Sequence, residues 1–153
     1  MSQSNLCQKF IEKIFLNFKK SNNIFYKKMK VVILAGGLGT RISEYTRSIP
    51  KPMIKICGKP IIHRIIDHYF KYGYSDFYIA LGYKGAVIKK YFREKKLNKK
   101  IKIHLIENGK NTMTGGRLKR LKKFLNEPFL LTYGDGLSNI NLTKLIKFHK
   151  KNK

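Results

Sequence analysis

The protein has 153 residues, 42% of them hydrophobic, so its length limits it to one domain with a core. Its 34 Lys and Arg residues against 8 Asp and Glu residues give a formal net charge of +26. This charge disfavours cationic partners and favours nucleic acid, an anionic membrane surface or small anionic substrates. The lysines are scattered and form no arginine-rich recognition element, so nucleic-acid binding is unlikely and is kept only as the alternative.

Residues 1–28 form a basic segment that differs from the rest of the chain. Its apolar residues recur every fourth position, as on one face of a helix, at Leu6, Phe10, Ile14 and Phe18. Glu12 and Lys13 interrupt the apolar run, which argues against a secretory signal, and the segment is too charged to span a membrane. We expect a dispensable extension. Contact of residues 1–20 with an anionic membrane surface, or docking on a partner, remains open.

Residues 29–153 alternate patterns typical of strands and helices. Apolar and alternating runs predict strands at residues 30–35, 77–81, 101–106 and 128–132. A short extended piece, Met53–Ile56, is followed by a turn at Cys57–Lys59. Helical patterns begin at Pro60, near Val87, at Gly116 and after the N-cap candidate Asn141. This order predicts an α/β fold with a mainly parallel sheet and flanking helices.

The most informative stretch is Val31–Arg41, which Pro50–Pro52 follows. An apolar, β-branched run leads into three glycines within four positions, the pattern of a buried parallel strand that ends in a turn. Glycine permits positive φ and a close approach of a ligand, so that N–H groups can converge on phosphate oxygens. Arg41 adds a charged donor fork, and Lys51 stands between two prolines of fixed φ. We interpret these residues as a cradle for a polyphosphate.

Two better-known phosphate motifs do not fit this stretch. The dinucleotide-binding fingerprint requires a glycine where Ile42 stands, and no acidic residue follows at the ribose-binding distance. The P-loop requires Gly-Lys-Ser/Thr, whereas Gly39 is followed by Thr40 and Arg41. The cradle therefore belongs to another class of nucleotide site.

Asp135 is the candidate metal ligand. It lies between two glycines directly after the strand predicted at residues 128–132, at the sheet edge where ligands bind in such folds. Mg²⁺ typically uses one or two carboxylates together with substrate phosphates, so a carboxylate beside the cradle suits it. The other interpretation of Asp135 is a turn residue before Gly136.

The chain resembles the sugar-phosphate nucleotidyltransferase family. The signature of that family is matched by two stretches, Leu34-Ala35-Gly36-Gly37-Leu38-Gly39-Thr40-Arg41 and Pro50-Lys51-Pro52. Two later stretches, Met113–Arg120 and Thr132–Gly136, resemble the cytidylyltransferase branch that acts on glucose 1-phosphate. The resemblance runs from about Met29 to the last residue and covers the N-terminal half to two-thirds of such an enzyme.

The resemblance implies a Rossmann-like fold of the nucleotide-diphospho-sugar transferase type. It implies that a sugar 1-phosphate attacks the α-phosphorus of a nucleoside triphosphate, with CTP favoured, to give a nucleotide sugar such as CDP-glucose for polysaccharide biosynthesis. Arg41 and Lys51 match catalytic positions, and Asp135 matches a Mg²⁺ ligand. The positions that match nucleotide contacts are Leu34, Ala35, Gly36, Gly37, Leu38, Gly39, Thr40, Arg41, Lys51, Thr112, Gly115, Gly116, Arg117 and Gly134.

The resemblance also implies parts that this sequence does not contain. The family's second metal-binding aspartate and its sugar contacts lie further along the chain, and no Asp or Glu follows Asp135. We therefore expect a C-terminally truncated fold, with residues 1–28 as an extension and 29–153 as its nucleotide-binding part. The isolated chain should be impaired in transfer, and a homo-oligomer is left open. Two cysteines without metal-ligand spacing favour a reducing, cytoplasmic setting.

Overall fold

A computed structural model describes residues 29–37 and 48–152 of the chain. The strands are β1 (Val31–Ala35), β2 (Lys55–Ile56), β3 (Lys59–Pro60), β4 (Asp76–Leu81), β5 (Lys102–Glu107) and β6 (Leu130–Tyr133). Four of them form one sheet in the order β5-β4-β1-β6, and all neighbouring pairs in it are parallel. The predicted mainly parallel sheet is confirmed, with each strand within two residues of its predicted position.

Helices cover both faces of the sheet. They are α1 (Ile61–Lys71), α2 (Gly85–Glu94), α3 (Thr114–Leu121) and α4 (Leu142–Lys151). Alternate residues of β1 face opposite sides: Val31 and Ile33 pack in a core with α1, α2 and α4, while Val32 and Leu34 pack against Leu121 of α3. Because apolar residues fill both sides, the central strand β1 is buried along its whole length.

Two helices each have a capping residue at one end. The Asn141 side chain accepts a hydrogen bond from the backbone N–H of Lys144 at 3.0 Å, so it is the N-cap of α4. Gly73 follows α1 with φ of 90°, and its N–H donates to the carbonyl of Phe70 at 2.9 Å. The third helix differs from the prediction, because its α-helical part ends at Leu121 and a 3₁₀ turn continues it to Phe124.

The segment before α1 was predicted only in part. Met53 belongs to a 3₁₀ turn, Lys51–Met53, and is not extended. The extended piece is reduced to β2, which pairs with β3 as a two-residue antiparallel hairpin. The hairpin turns at Cys57 and Gly58, with φ of 49° and 75°, the left-handed pair that tight hairpins require. Pro60 therefore ends a strand and is the N-cap of α1, where we predicted the first helical residue.

Other expectations from the sequence concern Cys57, the basic segment, the cradle and membrane-spanning helices. Cys57 is disulfide-bonded, although the two cysteines were expected in a reducing setting. The basic segment 1–28 lies outside the described residues, as do four positions of the cradle, Leu38, Gly39, Thr40 and Arg41. None of the helices in the described ranges combines the length and the apolar character needed to cross a membrane.

Candidate functional site

The carboxyl ends of the four parallel strands meet at one edge of the sheet. A glycine follows three of these strands directly, at Gly36, Gly82 and Gly134, and Gly109 comes two residues after the fourth. Residues without side chains let neighbouring segments approach the main chain at this edge, which is where open parallel sheets bind ligands. Of the predicted site residues that the structure describes, Leu34 and Ala35 end β1, and the others lie on the segments that leave this edge, at the start of α3 or on the turn at Lys51.

Lys51 and Asp135 form an ion pair at the β6 end of this edge. The Lys51 Nζ atom contacts the Asp135 Oδ2 atom, and the two side chains are 38% and 31% exposed. Lys51 is the first residue of its 3₁₀ turn, which Pro50 precedes and in which the N–H of Met53 donates to the Pro50 carbonyl at 2.8 Å. The structure thus brings together a predicted catalytic lysine and a predicted metal ligand that are 84 positions apart in the sequence.

Gly134 holds this corner in place by close packing. Its N–H donates to the Leu34 carbonyl at 2.9 Å, which extends the β1–β6 ladder by one residue. A Cβ atom added at Gly134 would lie 2.8 Å from the Pro52 ring and 3.3 Å from the Ala35 Cα atom. The turn that carries Lys51 and the loop that carries Asp135 therefore pack against each other with no room for a side chain between them.

The glycine-rich loop leaves β1 beside this corner. Leu34 and Ala35 are buried within the sheet, so their side chains support the loop and do not face a ligand. Gly36 is buried and Gly37 is exposed, and a Cβ atom at Gly37 would meet nothing within 4 Å. Neither glycine has positive φ, so the conformational reason that we predicted for them is wrong at these two positions. These glycines instead leave space beside the main chain, for Arg117 at Gly36 and for solvent at Gly37.

Arg117 closes the other end of the edge. Arg117 is 5% exposed, and its guanidinium donates to the carbonyls of Leu81 at 2.9 Å, Gly109 at 3.2 Å and Gly36 at 2.9 Å. These carbonyls belong to the ends of three strands. Burial, and to a lesser degree the charge of Arg120, lowers the pKa of Arg117. The predicted nucleotide contact is thus a buried arginine that binds main-chain carbonyls.

The remaining predicted contacts lie around the start of α3. Thr112 is half-buried, Gly115 is exposed, and a Cβ atom at Gly116 would lie 2.9 Å from the Thr112 methyl group. Thr112 and Gly115, before and at the start of α3, are therefore accessible to a ligand.

Sequence reasoning missed Asn108, which follows β5 directly. It is fully buried, and neither its Oδ1 nor its Nδ2 atom has a hydrogen-bond partner. Its carbonyl accepts from Arg120 at 2.5 Å, and its N–H donates to the Leu81 carbonyl at 3.1 Å. Its position at a strand end was the signal that could have identified it.

The donor chemistry of the Lys51–Asp135 corner fits a magnesium ion. Asp135 is a partly exposed carboxylate at the ligand-binding edge, and Mg²⁺ commonly takes one or two carboxylates and completes its shell with phosphates and water. Within residues 29–37 and 48–152, no three His, Cys, Asp or Glu side chains form a metal-binding cluster.

Comparisons with known proteins identify the family of this chain. Residues 30–153 match the family model described as "Nucleotidyl transferase". The glucose-1-phosphate cytidylyltransferase of Salmonella typhimurium is 44% identical over 144 residues, covering 80% of this chain and 56% of that protein. The probable glucose-1-phosphate cytidylyltransferase of Bacillus subtilis is 46% identical over 142 residues, with the same shares covered.

A solved structure has the same fold. HddC from Yersinia pseudotuberculosis, complexed with GMP-PN, superposes with a TM-score of 0.67 at 32% identity, covering 78% of this chain and 53% of that one. The chain spans about half the length of these relatives. The family match covers the sheet, the glycine-rich loop and the Lys51–Asp135 corner. The protein belongs to the nucleotidyl transferase family.

Proposed function

We propose that this chain provides the nucleotide-binding and phosphate-binding side of a sugar 1-phosphate nucleotidyltransferase. Its substrates would be a nucleoside triphosphate, with CTP favoured, and a sugar 1-phosphate such as glucose 1-phosphate. The products would be a nucleotide sugar and pyrophosphate. The preference for cytosine and glucose rests on the two cytidylyltransferases with 44% and 46% identity.

The observation that carries the proposal is the pairing of Lys51 with Asp135 beside the end of β1. A cation and a carboxylate, both partly exposed, lie at the ligand-binding edge of a parallel sheet, on two segments that pack beside the end of β1. The cation suits the phosphates of a nucleotide, and the carboxylate suits the divalent ion that accompanies them. Family membership supports the same assignment.

The proposed reaction needs positioning and charge stabilisation, and no protein nucleophile. An oxygen of the sugar 1-phosphate attacks the α-phosphorus, the bond from that phosphorus to its bridging oxygen breaks, and pyrophosphate leaves with the electron pair. Negative charge grows on the phosphoryl oxygens and on the leaving group. We propose that Lys51 and Arg41 stabilise this negative charge, because preorganised cations do so most effectively in a partly enclosed site.

A magnesium ion would be held by Asp135 and by the phosphates of the nucleotide. When bound there, it would supply neutralisation of triphosphate charge. Lys51 forms an ion pair with the carboxylate of Asp135. We infer that nucleotide binding releases Lys51 from this pair, so that the lysine can contact a phosphate.

Calorimetric titration tests the proposal. CTP should bind the chain saturably, binding should strengthen with Mg²⁺, and CTP should outcompete GTP. Arg41→Ala should weaken CTP binding by about 1.5–3 kcal/mol, the usual contribution of a hydrogen bond to a charged group. Absence of binding by CTP, GTP and UTP at millimolar concentration would contradict the proposal.

A transfer assay extends the test from binding to chemistry. Pyrophosphate release that requires both CTP and glucose 1-phosphate, and that Lys51→Ala abolishes, would support transfer by the chain itself. The nucleic-acid alternative is not supported by the family match. It would be revived by oligonucleotide binding that weakens steeply with salt and that ignores CTP.

A further inference from the structure

Two adjacent glycines of the loop after β1 stand in opposite surroundings. A Cβ atom at Gly37 would meet nothing within 4 Å, whereas one at Gly36 would lie 2.1 Å from the Arg117 Nη1 atom and 2.3 Å from its Cζ atom. Real Cβ atoms essentially never come this close to another atom. Since Gly36 lacks positive φ, the backbone itself would accept alanine there. The need for glycine at position 36 therefore comes from the guanidinium.

The arginine cannot move aside without cost, because its contacts hold it in place. Its guanidinium donates to the carbonyls of Leu81, Gly109 and Gly36, and it is almost fully buried. It forms none of the ion pairs found among the described residues. Main-chain carbonyl dipoles offset its charge, so displacing it would leave a buried cation without acceptors. It would also remove one hydrogen bond from each of three carbonyls, of which those of Leu81 and Gly36 would keep a backbone N–H donor.

The Gly36 carbonyl is fixed from two sides. It accepts from Arg117 Nη2 at 2.9 Å and from the N–H of Tyr83 at 3.2 Å. Gly82 makes room for this arrangement, because a Cβ atom there would lie 2.6 Å from Arg117 Nη1 and 2.7 Å from the Gly36 oxygen. The peptide that joins Gly36 to Gly37 thus has its oxygen fixed. A planar peptide with a fixed oxygen also has a fixed N–H, and this N–H belongs to the exposed Gly37.

We propose that Arg117 is a positioning residue that fixes the Gly36–Gly37 peptide for contact with a nucleotide phosphate, and that Gly36 and Gly82 are glycines to accommodate its guanidinium. The inference rests on the proposed function, since it assumes that the ligand of the loop is a nucleotide. The two glycines then meet different requirements. Gly36 leaves space for the guanidinium of Arg117, and Gly37 leaves the main chain accessible to the ligand.

A double-mutant cycle tests this division. The variants are Gly36→Ala, Arg117→Met, their combination, and Gly37→Ala as the matched control. CTP affinity is measured with Mg²⁺ well below the melting temperature Tm of every variant, which removes a purely structural effect from the readout. Gly36→Ala should lower Tm by about 5 °C or more and weaken CTP binding about tenfold. In the Arg117→Met background, adding Gly36→Ala should change both quantities little, because the space is already vacant.

The control should behave differently. Gly37→Ala should leave Tm unchanged. When it is combined with Arg117→Met, the loss of CTP affinity should equal the product of the fold-changes of the two single variants. If Arg117→Met does not fold, Arg117→Lys replaces it, because lysine keeps the charge but cannot span three carbonyls. This variant should also bind CTP about tenfold more weakly. Wild-type affinity in Arg117→Lys would overturn the inference.

The two proposals can fail separately. If the wild type binds CTP and the effects of Gly36→Ala and Arg117→Met on affinity multiply without coupling, the positioning role is wrong and the proposed function stands. If the wild type binds no nucleotide, the proposed function is wrong, and the positioning role for a nucleotide falls with it. Coupling in both Tm and CTP affinity is the expected result.

Discussion

Two corners of one sheet edge each contain a cation beside glycines, yet they differ in nearly every physical respect. Lys51 is 38% exposed and contacts a carboxylate, whereas Arg117 is 5% exposed and contacts main-chain carbonyls. A half-exposed ion pair contributes little to stability and exchanges partners readily. A buried guanidinium with satisfied hydrogen bonds is costly to disturb. Lys51 is therefore suited to bind a ligand, and Arg117 is suited to hold the backbone that the ligand meets.

The degree of burial distinguishes the roles of Lys51 and Arg117, whereas their residue types do not, because both are cations. Both cations lie at the ligand-binding edge of the sheet, and both match positions of the family that we assigned to the nucleotide. A ligand can compete for Lys51, because one flexible side chain and one partner must be exchanged. It cannot compete for Arg117 without breaking bonds to the ends of three strands. The predictions below test this contrast in order of expected effect.

The largest effect is expected where the Lys51–Asp135 corner is forced apart. Gly134→Ala places a methyl group 2.8 Å from the rigid Pro52 ring, so the free energy of unfolding should fall by about 2–3 kcal/mol, the usual cost of overpacking. Urea denaturation measures it. Gly136→Ala is the control, because its nearest neighbour would lie 3.4 Å away, and it should change stability by less than about 0.5 kcal/mol. Equal losses in both variants would show that the contact with Pro52 is unimportant.

Removing the exposed cation should affect the ligand more than the fold. Lys51→Ala should weaken CTP binding by about 1.5–3 kcal/mol while lowering the free energy of unfolding by less than about 1 kcal/mol. Calorimetry and urea denaturation measure the two quantities. Lys59→Ala is the matched control, because Lys59 forms a similar ion pair with Asp67 at 2.7 Å, with exposures of 40% and 33%. It should leave CTP affinity unchanged, and a loss there equal to that of Lys51→Ala would make the effect one of general charge.

The carboxylate of the same corner should control the response to Mg²⁺. Asp135→Asn should reduce the Mg²⁺-dependent gain in CTP affinity by about tenfold, since the amide is a much poorer Mg²⁺ ligand. Without metal, the variant should bind CTP no worse than the wild type, because a repulsive charge has been removed. Glu107→Gln is the control, a carboxylate at the end of β5 that pairs with Lys89 at 2.6 Å. An unaltered response to Mg²⁺ in Asp135→Asn would rule out Asp135 as the ligand.

The smallest effect concerns two buried histidines. They apply the comparison of buried with exposed cations to side chains that can lose their positive charge. Burial lowers the pKa of His63 and of His68 below the ordinary value of 6.5, while Asp67 opposes this shift and Lys59, Lys95 and Arg64 reinforce it at His63. The unfolded chain therefore binds more protons at mildly acidic pH. The stability contributed by the neutral rings is complete above about pH 6.5 and is lost as the pH falls toward the lowered pKa values.

Thermal unfolding checks this expectation. Tm should be lower at about pH 5 than at about pH 7.5. His68→Gln should flatten the difference, because the amide nitrogen can still donate to the Ile140 carbonyl that now lies 3.1 Å from His68 Nε2 but no longer titrates. A wild-type Tm that does not fall on acidification would contradict the assignment of neutral, buried histidines.

The sequence by itself determined the sheet and most of the helices, and it located the stretches that we propose bind phosphate. The period of the hydrophobic pattern distinguishes strands from helices, and capping residues such as Asn141 and Gly73 act on their immediate neighbours. Local patterns are therefore sufficient to predict these elements. The resemblance of the glycine-rich stretch and of Pro50–Pro52 to known motifs pointed to the family to which the chain belongs. These features depend on short-range interactions or on residue identity alone.

Only the tertiary structure decided what each site residue does. The pairing of Lys51 with Asp135, and the contact of Arg117 with Gly36, join residues 84 and 81 positions apart. Whether a cation meets a carboxylate, a carbonyl or solvent depends on which strand ends lie side by side, and no local pattern encodes this. The requirement for Gly36 likewise comes from a guanidinium on a distant helix and not from its own φ. Burial is a property of the assembled fold, and here it distinguishes the exposed cation that we propose binds the ligand from a buried one that binds main-chain carbonyls.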